Sequence, residues 1–410
     1  MIFGAIADDY TGGSDLAGML AGQGVRTLMH FGVPDGSADA ARYDAAVVCL
    51  KSRSIAAAEA RRMSAEALAW LEGAGARQVQ FKYCSTFDST PAGNIGPVLE
   101  ELLVRTGAEL AVAVPALPVN GRTQYLGHLF VNGVPLAESP MRHHPLNPMT
   151  DSNLVRHLAA QTSMKVGLVA LPAVRAGAEG IAAAARSLAA DGVRMALVDA
   201  TEESDLASIA AAVRNDRLIS GGSGLGAQLP AYWTLHRATL ERRELSGGRP
   251  GVLLLAGSCS AATLDQLEVY QRQFGSGIRV DEAALGSPGA LAGRAAEAVQ
   301  RDGRALIYSS APPGQRMPAG SAAAIEKTLA GVAVELVRGG VRRVIVAGGE
   351  TSGAVVDALN VKAVEVLRVL SPGVPALATV TGHPLGLVLK SGNFGGRGFF
   401  AEAAAYLESL

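Results

Sequence analysis

Cysteine is scarce. Three residues, Cys49, Cys84 and Cys259, serve 410 positions, too few for a disulfide framework, and none stands in a CxxC pair. The 7 histidines are scattered, so a structural zinc site lacks its clustered ligands. Net charge is missing too: against 36 Lys and Arg stand 37 Asp and Glu, a balance of −1. That excludes a nucleic-acid footprint and a polybasic membrane anchor. Any anionic ligand must be held by a local cluster. No apolar run reaches the ~18 residues of a membrane span. The N-terminus, MIFGAIADDY, carries acids where a signal peptide needs a basic region. A soluble cytoplasmic protein is expected.

Glycine, by contrast, is abundant, with 49 residues. No G-x-y period runs through the chain, so these glycines mark turns and close backbone–ligand approaches rather than collagen. A hydrophobic share of 49% with 18% charged residues excludes disorder over most of the length. At roughly 150 residues per domain the length suggests two or three domains.

Short apolar runs alternate with Ala/Leu/Glu-rich helical stretches. Strands are expected at Phe3–Ala7, Thr27–Phe31, Ala45–Leu50, Gln78–Tyr83 and Ala111–Val114, with helices such as Ala56–Glu72 and Ile95–Leu103 between them. Runs such as AAVVCL and LAVAV are continuously apolar, the mark of strands buried on both faces. The β-α-β order predicts an α/β fold of mostly parallel sheets covered by helices. Tyr125–Leu136 breaks the pattern: two apolar runs flank Asn132-Gly133, which predicts an inserted β-hairpin with a type I′ turn. A charged run, HRATLERRE, leads into LSGGRP at Leu245–Pro250, where turn residues suggest a domain boundary. The chain then divides into residues 1–245 and 250–410.

In doubly wound sheets ligands bind beyond the carboxyl ends of the strands. The first strand ends in Asp8-Asp9-Tyr10-Thr11-Gly12-Gly13-Ser14-Asp15, with a helix expected from Leu16 and a cap at Thr11 or Ser14. Two adjacent acids at a strand end are costly unless solvent, a metal or a substrate stabilises them. The third strand ends in Lys51-Ser52-Arg53-Ser54, two cations suited to a carboxylate. After the fourth come Ser85 to Thr90, hydroxyl-rich around Asp88, and after the fifth Asn120 and Arg122. A sheet would bring these strand ends to one edge.

The second half offers strand–small-residue-loop–helix segments instead. Leu253–Gly257 runs into Ser258-Cys259-Ser260 with a helix from Ala261. Val344–Ala347 runs into Gly348-Gly349-Glu350-Thr351-Ser352-Gly353 with a helix from Ala354. A third loop is Lys390-Ser391-Gly392-Asn393-Phe394-Gly395-Gly396. Such segments aim backbone N–H groups and a positive dipole end at an anion. Neither GxxxxGK[ST] nor GxGxxG occurs in them.

Together IADDYTGGSDLA, LKSRSI, KYCSTFDSTPAGNIGPV, PALPVNGRTQYLGHLFV, LAGSCSAAT, GGETSGAVV and LKSGNFGG resemble the four-carbon acid-sugar kinase family over essentially the whole chain. KYCSTFDSTPAGNIGPV is most similar to the 3-oxo-tetronate branch, rather than the threonate or erythronate branches. The resemblance implies a sugar-acid-binding domain followed by a nucleotide-binding domain, and transfer of the ATP γ-phosphate to the terminal hydroxyl. It implies ATP contacts at Ser258, Gly348–Thr351 and Gly395. Where the family usually has Phe, this chain has Tyr10; where an acidic residue is common, it has Gly398. On this view Asp9 or Asp8 is the general base, with Asp88 orienting the substrate. Mg²⁺ travels with ATP, and a homo-oligomer remains open. Another α/β enzyme, such as a dehydrogenase or hydrolase, and a silent sugar-acid and nucleotide sensor are the competing classes.

Overall fold

A computed structural model describes residues 1–36, 39–144, 146–235, 245, 248–275, 277–318 and 320–410. The chain falls into two compact units, Met1–Arg237 and Ala238–Leu410. The charged run at 236–244, and 246–247 within LSGGRP, lie outside the described residues.

The first unit carries strands β1 (Phe3–Ala7), β2 (Thr27–Phe31), β3 (Ala45–Cys49), β4 (Gln78–Lys82), β5 (Ala111–Val114), β6 (Arg122–Tyr125), β7 (His128–Val131), β8 (Val134–Pro135), β9 (Lys165–Val169), β10 (Val193–Val198) and β11 (Leu218–Gly221). Eight of them run parallel in the order β2-β3-β1-β4-β11-β5-β10-β9. Every residue of β1 to β5 is buried, which is why β1, β3 and β5 read as continuous apolar runs. The covering helices follow the same logic. Ala57–Gly73 buries Ala60, Ser64, Leu68 and Leu71 at helical spacing. Ile95–Thr106 stops where Gly107 turns left-handed at φ 68°.

The inserted hairpin is part of a three-stranded antiparallel sheet, β6-β7-β8. Asn132 and Gly133 both have positive φ, 52° and 80°, as a type I′ turn requires. The additional strand joins through a second tight turn at Leu126 and Gly127, at φ 49° and 73°. A leucine gives little warning of such a backbone.

The second unit carries β12 (Arg249–Ala256), β13 (Ile278–Arg279), β14 (Arg304–Tyr308), β15 (Val341–Ala347), β16 (Ala363–Ser371), β17 (Val374–Thr379) and β18 (Gly386–Lys390). Strands β13-β14-β12-β15-β18 are parallel neighbours, and β17 and β16 continue the row antiparallel. Val252, Leu254, Ile345 and Val388 pack against Leu267, Tyr270, Phe399, Phe400 and Leu407 from two helices. Ala256 pairs with Ala347 and Ala347 with Lys390. The loops after β12, β15 and β18 therefore leave the sheet at one level. Among the described residues no helix is long and apolar enough to cross a membrane.

Candidate active site

In the first unit β3, β1 and β4 are neighbours, so three of the polar strand ends meet. Arg53 is the hub. Its Nε donates to Asp8 Oδ2 at 2.9 Å and its Nη2 to Asp8 Oδ1 at 2.8 Å, a bidentate fork. Nη2 also donates to Asp9 Oδ1 at 2.7 Å, and Nη1 lies 3.6 Å from Asp88 Oδ2. Asp8 and Asp88 are buried, whereas the Asp9 side chain keeps 26% of its surface exposed. Asn94 holds the cation loop from below, its Nδ2 donating to the carbonyls of Ser52 at 2.7 Å and Ile55 at 2.9 Å. Thr86 donates to Asp88 Oδ1 at 2.5 Å.

The helix expected from Leu16 starts six residues earlier, at Tyr10, and Asp9 is its cap rather than Thr11 or Ser14. Asp9 Oδ1 accepts from Gly12 N at 3.1 Å and Oδ2 from Thr11 Oγ1 at 2.7 Å. Asp at an extended position outranks a threonine further on, and strand passes directly into helix. Ser14 is thus buried inside the helix, and Asp15 accepts from Ser223 Oγ at 2.5 Å.

The two adjacent acids are pushed apart electrostatically. Burial raises Asp8 above the ordinary carboxylate value despite the pull of Arg53. Burial also pushes on Asp9, but Arg53, Lys82 and the bonds from Thr11 and Gly12 outweigh it and hold Asp9 below its ordinary value. Lys82 belongs to this group, and sequence reasoning assigned it no role. It closes β4, is buried, and donates to Tyr83 O at 3.0 Å. A Cβ on Gly12 would come within 2.7 Å of its Nζ and collide with Asp9 Oδ1. Its signal was a lysine ending an otherwise uncharged strand.

The other expected residues are placed less centrally. Lys51 is exposed and stacks over the Tyr10 ring, 4.9 Å from its centroid. Ser85 is half-buried beside the Gly222 turn. The loop after β5 stands beyond β11. There Arg122 Nη1 donates to the carbonyl of Asn120, and among the described residues neither bonds to the Arg53 cluster.

In the second unit the three small-residue segments converge. Ser260 caps the helix Ala261–Phe274, accepting from Thr263 N at 3.2 Å, and donates to Gly392 O at 2.6 Å. Ser258 Oγ accepts from Ser260 N at 3.2 Å, and a Cβ on Gly392 would run into it. The helix expected from Ala354 starts at Gly349, with Gly348 as its cap. Gly349, Glu350, Thr351 and Gly353 therefore form its first turns rather than a loop. Thr351 is buried under Gly257. Gly395 lies in the third segment, at φ 84°. Two helix N-termini thus open among these segments, an arrangement that favours phosphate. Arg316, in the loop after β14, reaches in with Nη2 3.2 Å from Cys259 O. It lay in a stretch to which the motifs gave no pointer.

A sugar-binding N-terminal domain family matches residues 3–229 and a nucleotide-binding C-terminal domain family matches residues 253–400. A 3-oxo-tetronate kinase of Cupriavidus necator is 45% identical over 420 residues, covering 99% of this chain and 97% of its own length. One of Burkholderia multivorans is 46% identical, with the same coverage of 99% and 97%. The chain belongs to the four-carbon acid-sugar kinase family. As a member it is a sugar-acid kinase, a phosphotransferase with an alcohol group as acceptor and ATP as donor. A crystal structure of a Haemophilus influenzae protein aligns at TM-score 0.82 and 39% identity, covering 98% of this chain and all of that one. One from Salmonella typhimurium LT2 aligns at TM-score 0.88 and 39% identity, covering 99% of each chain.

Proposed function

We propose that this kinase phosphorylates O4 of 3-oxo-tetronate. The observation that carries the proposal is full-length similarity, at 45–46% identity, to proteins named for that substrate, joined to an acid–guanidinium cluster in the sugar-binding half. Residues 1–245 would bind the sugar acid and residues 250–410 the nucleotide, in the cytoplasm.

Asp9 is the exposed member of the acid cluster and is held ionised, so it is the group that orients the O4 hydroxyl. As O4–Pγ forms and the bond from Pγ to the β,γ-bridging oxygen breaks, the hydroxyl proton passes to Asp9 late, because the transition state is loose. Asp8 anchors Arg53. The part of the fork facing only Asp88 at 3.6 Å is Nη1, and with Lys51 it would receive the substrate carboxylate. Ser85, Asp88, Asn120 and Arg122 complete the sugar-acid side. Ser258, Gly348 to Thr351, Gly353, Gly392 and Gly395 would receive the phosphates. Mg²⁺ enters as part of the co-substrate, and Glu350, an exposed carboxylate in these segments, is the hard oxygen donor able to meet it.

A panel of 3-oxo-tetronate, D-threonate, L-threonate and erythronate with ATP, read by ADP release, tests the reading. Turnover of 3-oxo-tetronate above the water background supports it. Turnover of a threonate or erythronate alone would leave the family intact and overturn the substrate.

A further inference from the structure

The loop after β18 turns its carbonyls to one side. Lys390, fully buried, donates from Nζ to Ser391 O and Gly392 O at 3.0 Å each and to Thr263 Oγ1 at 3.1 Å. Gly392 O also accepts from Ser260 Oγ and from Thr263 Oγ1 at 2.9 Å. Further along, Gln266 Nε2 lies 3.0, 2.9 and 3.1 Å from the carbonyls of Phe394, Gly395 and Gly396. Five carbonyls are thereby drawn to Lys390 and the helix Ala261–Phe274. In a trans peptide the next residue's N–H points opposite to the carbonyl. The N–H groups of Gly392, Asn393, Gly395, Gly396 and Arg397 therefore face away from the helix. Among the described residues none of these five donates to a protein acceptor. Successive free N–H groups of this kind form an anion-binding concavity.

We propose that Lys390 and Gln266 are positioning residues for the nucleotide: by gathering the carbonyls of this loop they hold its five N–H groups toward the polyphosphate. The inference rests on the reading of the loop as an ATP-binding segment. It explains a buried lysine that no described carboxylate compensates. The three protons of an ammonium match its three oxygen acceptors, whereas a neutral amine has two. Burial pushes Lys390 down to about 8. Thr263 faces it from the helix Ala261–Phe274, the Phe400 ring from the C-terminal helix, and Ala347 from β15. None of them is charged, so the charge state of the loop anchor belongs to Lys390.

The test is calorimetric titration of the full chain with ATP and ADP, with adenosine followed as a competitive inhibitor, for wild type, Lys390→Met and Gln266→Leu. Unsatisfied buried carbonyls should weaken ATP and ADP by about tenfold in each variant, leaving adenosine and the KM of the sugar acid unchanged. Wild type should itself lose ATP affinity between pH 7 and pH 9. Folded variants that bind ATP as wild type does, or lose ATP and adenosine equally, overturn the proposal. If Lys390→Met does not fold, Gln266→Leu and the wild-type pH series decide, and unchanged ATP affinity in both overturns it. Hydrogen exchange at amides 392–397 separates the two levels. ATP protection there supports the loop as a nucleotide segment, and none overturns that reading and the positioning role with it.

Discussion

Arg53→Met removes the hub of the acid cluster while keeping most of the side-chain stem in place. Asp8, 4% exposed, would lose both bonds of its bidentate fork. Breaking a buried ion pair by deleting one partner costs about 3–5 kcal/mol. Solvent reaches this pair, since 22% of the Arg53 side chain is exposed, so the lower end of roughly 3 kcal/mol applies. The variant can relieve part of that cost by protonating Asp8. Burial already raises this carboxyl, and Arg53 is the strongest force opposing it. Without Arg53 the folded state binds the Asp8 proton more tightly than the unfolded chain does. The variant's stability is then fullest below the unfolded carboxylate pKa and is lost as pH rises through the higher folded value. Urea unfolding at pH 5, 6.5 and 8, compared with wild type, should show a gap that is narrow in acid and widest at pH 8. Steady-state kinetics on the same preparations should show a raised KM for the sugar acid and an unchanged KM for ATP. A gap under about 1 kcal/mol at every pH, with the KM effect intact, would refute the reasoning, because the guanidinium would then serve the ligand without holding the acids.

Two further substitutions probe the two halves separately. Asp9→Asn preserves a good helix cap and should lower kcat by about 10²–10⁴-fold with little change in KM; a kcat within about threefold of wild type moves the base to Asp8 or Asp88. Gly257→Ala should weaken ATP binding, because the new methyl runs into Thr351 Oγ1 under the phosphate segments; titration showing wild-type ATP affinity in a normally stable variant would mean that the two segments do not need their close approach.

The parallel sheets were legible because burial on both faces writes itself into consecutive residues. Phe3–Ala7, Thr27–Phe31 and Ala111–Val114 are strands at the boundaries their apolar runs indicated. Asn132-Gly133 was legible for a different reason, since few residue pairs accept two positive φ values in succession. The turn at Leu126-Gly127 was not, because its first residue has no preference for that conformation; the pairing of Tyr125 with His128 imposes it together with Asp199, whose carboxylate accepts from Leu126 N at 2.7 Å and Gly127 N at 2.9 Å. The helix starts at Ile95 and Ala261 were read correctly, but two others were placed too late. At both Asp9 and Gly348 the strand passes into helix without an intervening loop. Glycine and serine in the following residues look like turn residues locally, yet at Gly13 and Ser352 they supply the small volume that lets a helix lie close to the sheet edge.

For the site, what could be read was the inventory of each strand end, and what could not was how the inventories combine. Asp8, Asp9, Arg53 and Asp88 converge because β3, β1 and β4 happen to be neighbours. Asn120 and Arg122 looked equivalent in sequence but stand across β11, a strand contributed about a hundred residues later. Lys82 and Lys390 were hidden for a shared reason. Each is the last residue of a buried, otherwise uncharged strand, a position that ordinarily releases a lysine to solvent, and each instead folds back under the loop that follows, onto Tyr83 O in one case and onto Ser391 O and Gly392 O in the other. A buried ammonium that binds backbone carbonyls fixes the direction of a peptide plane and, through it, the direction of the next N–H. In the second unit that direction is away from the helix Ala261–Phe274, the side on which we propose the polyphosphate lies. In the first it sets a positive charge beside Asp9 and helps hold it ionised, so the same residue type at the same strand position orients a backbone loop in one half and biases a carboxylate in the other.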